Sequence, residues 1–137
     1  MNISMYQASA PRFANTLQNL SAILDKAQAH AEARKIDPLV LTSSRLYPDM
    51  FTLQRQVQIA CDTAKGAVAR LAGVENPKHE DTETTIEELK ARIAKTLAFI
   101  GTVKAAQIDG SEENEIALKL GTLEVKWKGM QYLLGFA

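Results

Sequence analysis

Pro48-Asp49-Met50-Phe51-Thr52-Leu53-Gln54-Arg55-Gln56-Val57-Gln58-Ile59-Ala60-Cys61-Asp62-Thr63-Ala64-Lys65-Gly66 carries the periodicity of a bundle helix and contains no histidine. Val57, Cys61 and Ala64, followed by Val68 and Leu71, recur at alternating steps of four and three residues, the spacing of one buried helical stripe. Asp49 stands where an N-cap is expected, and Gly73 supplies a C-cap. This segment is helix two.

Upstream, Phe13, Leu17, Leu20, Leu24, Ala27 and Ala31 repeat the same steps and define helix one. Pro11 fits its first turn with Ser9 as N-cap; a start nearer Ser4 would make the same proline a kink. The helix is expected to stop near Lys35, because Asp37 precedes a proline, and one helical turn is expected at Leu39 to Ser44. Downstream, Val74 to Thr82 reads as an exposed, charged loop around Asn76-Pro77. Thr84-Thr85-Ile86-Glu87 reads as a capping box for helix three, whose buried face is Ile86, Leu89, Ile93, Leu97 and Ile100.

After Asp109-Gly110 the helical period gives way to strict alternation about Gly121-Thr122, a two-residue hairpin turn with glycine first. Pairing Leu120 with Leu123, Leu118 with Val125 and Ile116 with Trp127 puts these side chains on one face. The other face then sets Lys119 against Glu124 and Glu115 against Lys128. A lone hairpin is marginal in water, so its apolar face is expected to pack on the helices or on a partner. Met130 to Ala137 reads as the first two turns of a fourth helix. Its dense apolar composition implies a truncated chain or a segment completed by another subunit.

The chain of 137 residues suits one domain, 1–137, with most of a fourth helix lacking. Sixteen basic residues balance sixteen acidic ones, which argues against nucleic acid or an anionic membrane as partner. No apolar run approaches the ~20 residues that span a bilayer. The lone Cys61 cannot form an internal disulfide, and with no export signal the expected compartment is the cytoplasm.

Met5-Tyr6-Gln7-Ala8-Ser9, Leu20 to Ala27, Pro48 to Gly66, Arg70-Leu71-Ala72-Gly73 and Tyr132-Leu133-Leu134 together resemble an uncharacterised bacterial family within the DinB/YfiT-like superfamily of candidate metalloenzymes. The resemblance implies a mainly α fold: an up-down four-helix bundle with a β-hairpin at about 115–128 before a truncated helix four. In many members of that superfamily, one histidine on helix two and two on helix four bind a divalent metal. Here helix two offers Gln58 and Ile59 instead. No metal site or cofactor is therefore expected, unless His30 and residues outside this chain complete one.

His30, near the end of helix one, is the best single ligand candidate, sharing one bundle end with Gln58 and Asp62 in an up-down arrangement. Its alternative role is that of a solvent-facing histidine complementing the helix dipole. Asp62 would orient a ligand or act as a base if it faces inward, or else form a surface pair with Lys65. Cys61 reads as a core thiol, His79 as a surface residue, and Tyr6, Tyr47, Trp127 and Tyr132 as core, interface or cavity aromatics. No catalytic residue is assigned. The expected function is non-catalytic binding of a small molecule or protein, with self-association as a homodimer; the alternative is a metal- or thiol-dependent enzyme with a non-standard site.

Overall fold

Ser4 begins the folded chain by capping α1 (Met5–Ala8), its hydroxyl accepting from the Gln7 amide while Gln7 reaches back to the Ser4 amide. The computed structural model describes all residues, 1–137. Ser9 breaks the helix and α2 (Ala10–Arg34) follows, with Pro11 in its first turn. The expected Ser9 boundary is present, but its hydroxyl does not cap α2; it donates back to the Met5 carbonyl at 2.7 Å. Lys35 ends α2 in the left-handed region, with φ 55°.

α3 (Pro38–Thr42) is the expected single turn. α4 (Leu53–Ala72) starts later than the sequence suggested: its cap is Thr52, whose hydroxyl accepts from the Arg55 amide, and not Asp49. The reason is the turn around Pro48, in which the Met50 amide bonds to Tyr47 and the Leu53 amide reaches back to Ser44. Gly73 closes α4 with φ 65°, the conformation glycine adopts without a Cβ penalty. The capping box of α5 (Ile86–Thr102) is Thr85 with Glu88, one residue beyond the expected pair. Amides of Thr84 and Thr85 donate to the Glu88 carboxylate and hold it below its ordinary pKa.

α5 packs along both α2 and α4, which meet each other less extensively. The buried stripes predicted from spacing form this junction: Leu17 and Leu24 from α2, Val57, Cys61, Ala64, Val68 and Leu71 from α4, and Ile86, Leu89, Ile93 and Ile100 from α5. Each large aliphatic chain buried here contributes about 1.5–3 kcal/mol. α6 (Ala105–Ile108) leads to β1 (Glu115–Leu120), which pairs antiparallel with β2 (Leu123–Lys128). No helix is long and apolar enough to cross a membrane.

The hairpin register is the one expected, from Leu120 opposite Leu123 to Glu115 opposite Lys128, and Gly121 takes φ 65° in the turn. Its apolar face is only half covered. Ile116 is buried and Trp127 partly so, whereas Leu120 and Leu123 at the tip are 43% and 63% exposed, because only the base rests on the helical core. The ion pairs also differ from the expected cross-strand ones: Glu115 pairs diagonally with Lys126 at 3.0 Å, and Lys128 with Glu113.

α7 (Gly129–Gly135) brings Tyr132 and Leu133 into the core. Gly129 sits so tightly on the Ser111 carbonyl that a Cβ would collide with backbone, while the Met130 amide donates to the Glu112 carbonyl at 3.0 Å. Gly129→Ala is therefore expected to lower unfolding free energy by about 1–3 kcal/mol, the usual range for overpacking. Gly101→Ala, on α5 with nothing near its missing Cβ, is expected to raise it by about 0.5–1 kcal/mol through helix propensity. Urea unfolding of the two variants beside the parent checks both signs.

Candidate functional site

Arg55, Gln58, Asp62 and Lys65 fall on one stripe of α4 at steps of three and four, facing the chain between α4 and α5. That chain is the expected exposed loop in most of its residues, but it is tethered to the helices. The Pro77 carbonyl accepts from Lys65 Nζ, and the Glu80 carbonyl accepts from Arg92 Nη1 at 2.9 Å. Lys65 is consequently buried, not a surface residue, although its expected pair with Asp62 exists at 3.4 Å.

The centre of this cluster is Arg92 on α5, whose side chain is 1% exposed. Its Nη2 donates to Asp62 Oδ1 at 2.9 Å and faces Asp81 Oδ1 at 2.9 Å, while Nη1 meets Glu83 Oε2 at 3.0 Å. Asp81 is also paired with Arg55, and Glu83 accepts from Gln58 Nε2 at 3.1 Å. Burial alone would lower the Arg92 pKa, but the carboxylates of Asp62 and Glu83 outweigh it and hold the guanidinium above its ordinary value. The five-donor fork of arginine is what permits one cation to tie three acids and a carbonyl from separate segments.

Among the residues singled out from the sequence, Gln58 and Asp62 enter this cluster, Gln58 buried and Asp62 at its rim. His30 does not join them: it is exposed near the end of α2 and makes no hydrogen bond or ion pair with either. His79 does reach the cluster's edge, half-buried beside Lys65. Burial first, then the charges of Lys65, Lys95 and Arg92, push its pKa down, against a smaller upward pull from Asp62. Cys61 is buried in the core, and burial pushes its thiol up, so it is held as the weakly nucleophilic protonated form.

Sequence reading passed over Arg92, Asp81 and Glu83. The available signal was an arginine directly before Ile93 on the buried stripe of α5, preceded by the acidic run Glu80-Asp81 and Glu83. Chemically the cluster is an ion network with its charges spent on one another. No three or more His, Cys, Asp or Glu side chains are arranged to hold a metal ion. The acids that do converge, Asp62, Asp81 and Glu83, converge on a guanidinium that fills their common centre, so these three do not offer an open donor set to a divalent metal.

This mainly helical architecture with its hairpin is that of a DinB-like domain. It is similar to the crystal structure of a DinB family member protein from Shewanella denitrificans, with 40% identity and a TM-score of 0.84 over 96% of this chain and 74% of that one. Residues 5–137 match the family model described as Domain of unknown function (DUF1993), and the chain belongs to that family. A search of the curated proteins found no match.

Removing Arg92 deletes several charge-assisted hydrogen bonds, although Asp62 and Asp81 keep Lys65 and Arg55 as partners. Arg92→Ala is therefore expected to cost about 1.5–3 kcal/mol of stability, with Arg92→Lys recovering only part because it lacks the fork. Denaturant titration checks this. His79 generates a pH dependence whose sign follows from its lowered pKa. The unfolded chain takes up the proton near pH ~6.5 while the folded chain resists it, so stability is greatest above that pH and declines as pH falls through the window below it. His79→Asn is expected to flatten this limb of a stability–pH profile.

Proposed function

We propose that the protein is a non-catalytic binding module: a single helical-bundle domain in which α2, α4 and α5 take three positions and α7 opens the fourth, with a small molecule held beside α4. The observation that carries this reading is the engagement of Asp62 Oδ1, Asp81 Oδ1 and the Glu83 carboxylate by the buried Arg92 guanidinium. Acids so engaged are poor general bases and poor metal ligands, because each new role competes with an existing ion pair to a guanidinium that is itself 1% exposed. The raised pKa of Cys61 argues in the same direction against thiol chemistry. A single buried thiol also suits the reducing cytoplasm.

Self-association belongs to the same reading. Leu39, Val40, Leu46, Tyr47, Met50 and Phe51 expose a run of apolar surface around α3 and the segment before α4, more than scattered surface residues explain. A pocket of about 470 Å³ opens among Leu41, Leu46, Met50 and Phe51. A symmetric pair of chains would cover such a patch.

Two measurements test the proposal. Elemental analysis of protein purified without chelator is expected to find no stoichiometric divalent metal. One metal per chain, lost in Asp62→Ala, would overturn the non-catalytic reading. Light scattering across a concentration series is expected to give a dimer that Phe51→Ser weakens, whereas a monomer throughout removes self-association.

A further inference from the structure

Arg70 is a charged side chain beside the cluster that the network does not use. Lys65 is engaged by Asp62 and the Pro77 carbonyl, Arg55 by Asp81, and Arg92 by three acids. Arg70 has no carboxylate partner. Its Nη1 donates to the Tyr132 hydroxyl at 3.1 Å, and its guanidinium lies 6.0 Å from the centre of the Tyr132 ring. Gly66, one turn earlier, leaves room for this: a Cβ there would collide with Arg70 Nη1. The guanidinium is thus held against α4 by a buried tyrosine and a missing side chain, with no anion to neutralise it.

Its position joins two depressions. On one side is a groove of about 540 Å³ between α4 and the hairpin with α7, walled by Ile59, Leu118, Leu120 and Phe136. On the other is a polar basin of about 370 Å³ formed with Lys65, Asn76, Lys78 and His79. Arg70 and Asp62 line both. Asp62 contributes little repulsion to an incoming anion, because Arg92 and Lys65 already neutralise it. Lys119 adds positive charge along the apolar groove, and Lys78 along the basin. Both volumes, and the mixture of apolar wall with a few placed polar groups, suit a small organic ligand.

We propose that this groove binds a small amphipathic anion, a molecule with one carboxylate or phosphate head and an apolar acyl or aryl body. Arg70 anchors the head through charge-assisted hydrogen bonds, and Ile59, Leu118, Leu120 and Phe136 take the body. The proposal rests on the binding-module reading above and names its ligand class.

Decanoate, decanol and inorganic phosphate serve as probes, by calorimetry and by amide shifts of the labelled full chain. Decanoate is expected to bind with shifts at Ile59, Arg70, Leu118 and Leu120, at least tenfold more tightly than decanol. Arg70→Met is expected to remove that margin and leave decanol unchanged. Gly66→Ala, which displaces the guanidinium, is expected to weaken decanoate several-fold in a chain still folded by circular dichroism, and Leu120→Ser to weaken both probes. Tight binding of phosphate alone would overturn the amphipathic requirement while keeping the anion anchor. Equal affinity for decanol and decanoate, or an Arg70→Met protein that binds decanoate normally, would overturn the anchor but leave a binding groove. Absence of shifts along the groove with every probe, or the same shifts produced by raising protein concentration alone, would overturn the groove as a site for such an anion.

Discussion

A guanidinium that is 1% exposed has to be neutralised where it lies, and the polar half of this molecule is arranged around that requirement. Arg92 is rooted in α5 between Leu89 and Ile93, which fix the helix against the core. Its fork draws Asp62 from α4 and Asp81 and Glu83 from the connection, and a fourth bond captures the Glu80 carbonyl. The connection between α4 and α5, though exposed and charged, is therefore tethered to the helices. It is pinned at several points, with Lys65 adding another through the Pro77 carbonyl.

The same economy of charge shapes what remains available on the surface. Each acid around Arg92 already has a cationic partner, and Arg55 and Lys65 are drawn in as secondary partners. Arg70, two turns beyond Asp62 on α4, escapes the network and meets the aromatic side chains of the hairpin exit instead. Trp127, Tyr132 and Phe136 gather there, with Trp127 and Phe136 ring centres 5.2 Å apart. This aromatic group is stable because α7 is held by the close approach of Gly129 to Ser111 and by the burial of Tyr132. Fold and groove are thus coupled: what seats α7 also places Tyr132 beneath Arg70.

Apolar surface is distributed unevenly for a comparable reason. The hairpin meets the core at Ile116 but projects Leu120 and Leu123 beyond it, and the segment around Tyr47 to Phe51 turns away from the helices before Thr52 caps α4. In both places local backbone demands, a two-residue turn in one and a proline turn in the other, outrun the reach of the helical core.

The sequence by itself determined not the short α1 and α6 but the three long helices, the main positions of their buried stripes and the strand register. These depend on neighbours within a few residues: the steps of Val57 to Leu71, the left-handed Gly73 and the alternation about Gly121-Thr122 are written in the local chain. Caps were legible only to within a residue or three, because Thr85 replaces Thr84 and Thr52 replaces Asp49 according to how the adjoining turns run. Tertiary structure alone decided the polar cluster. Arg92 and Asp62 are 30 residues apart in the chain, so no periodicity connects them. It also decided that Gln58 is buried within that cluster while His30 stays exposed outside it. Whether a charged side chain is solvated or buried depends on which opposite charges the fold brings within hydrogen-bonding reach, and that is a property of packing, not of residue order.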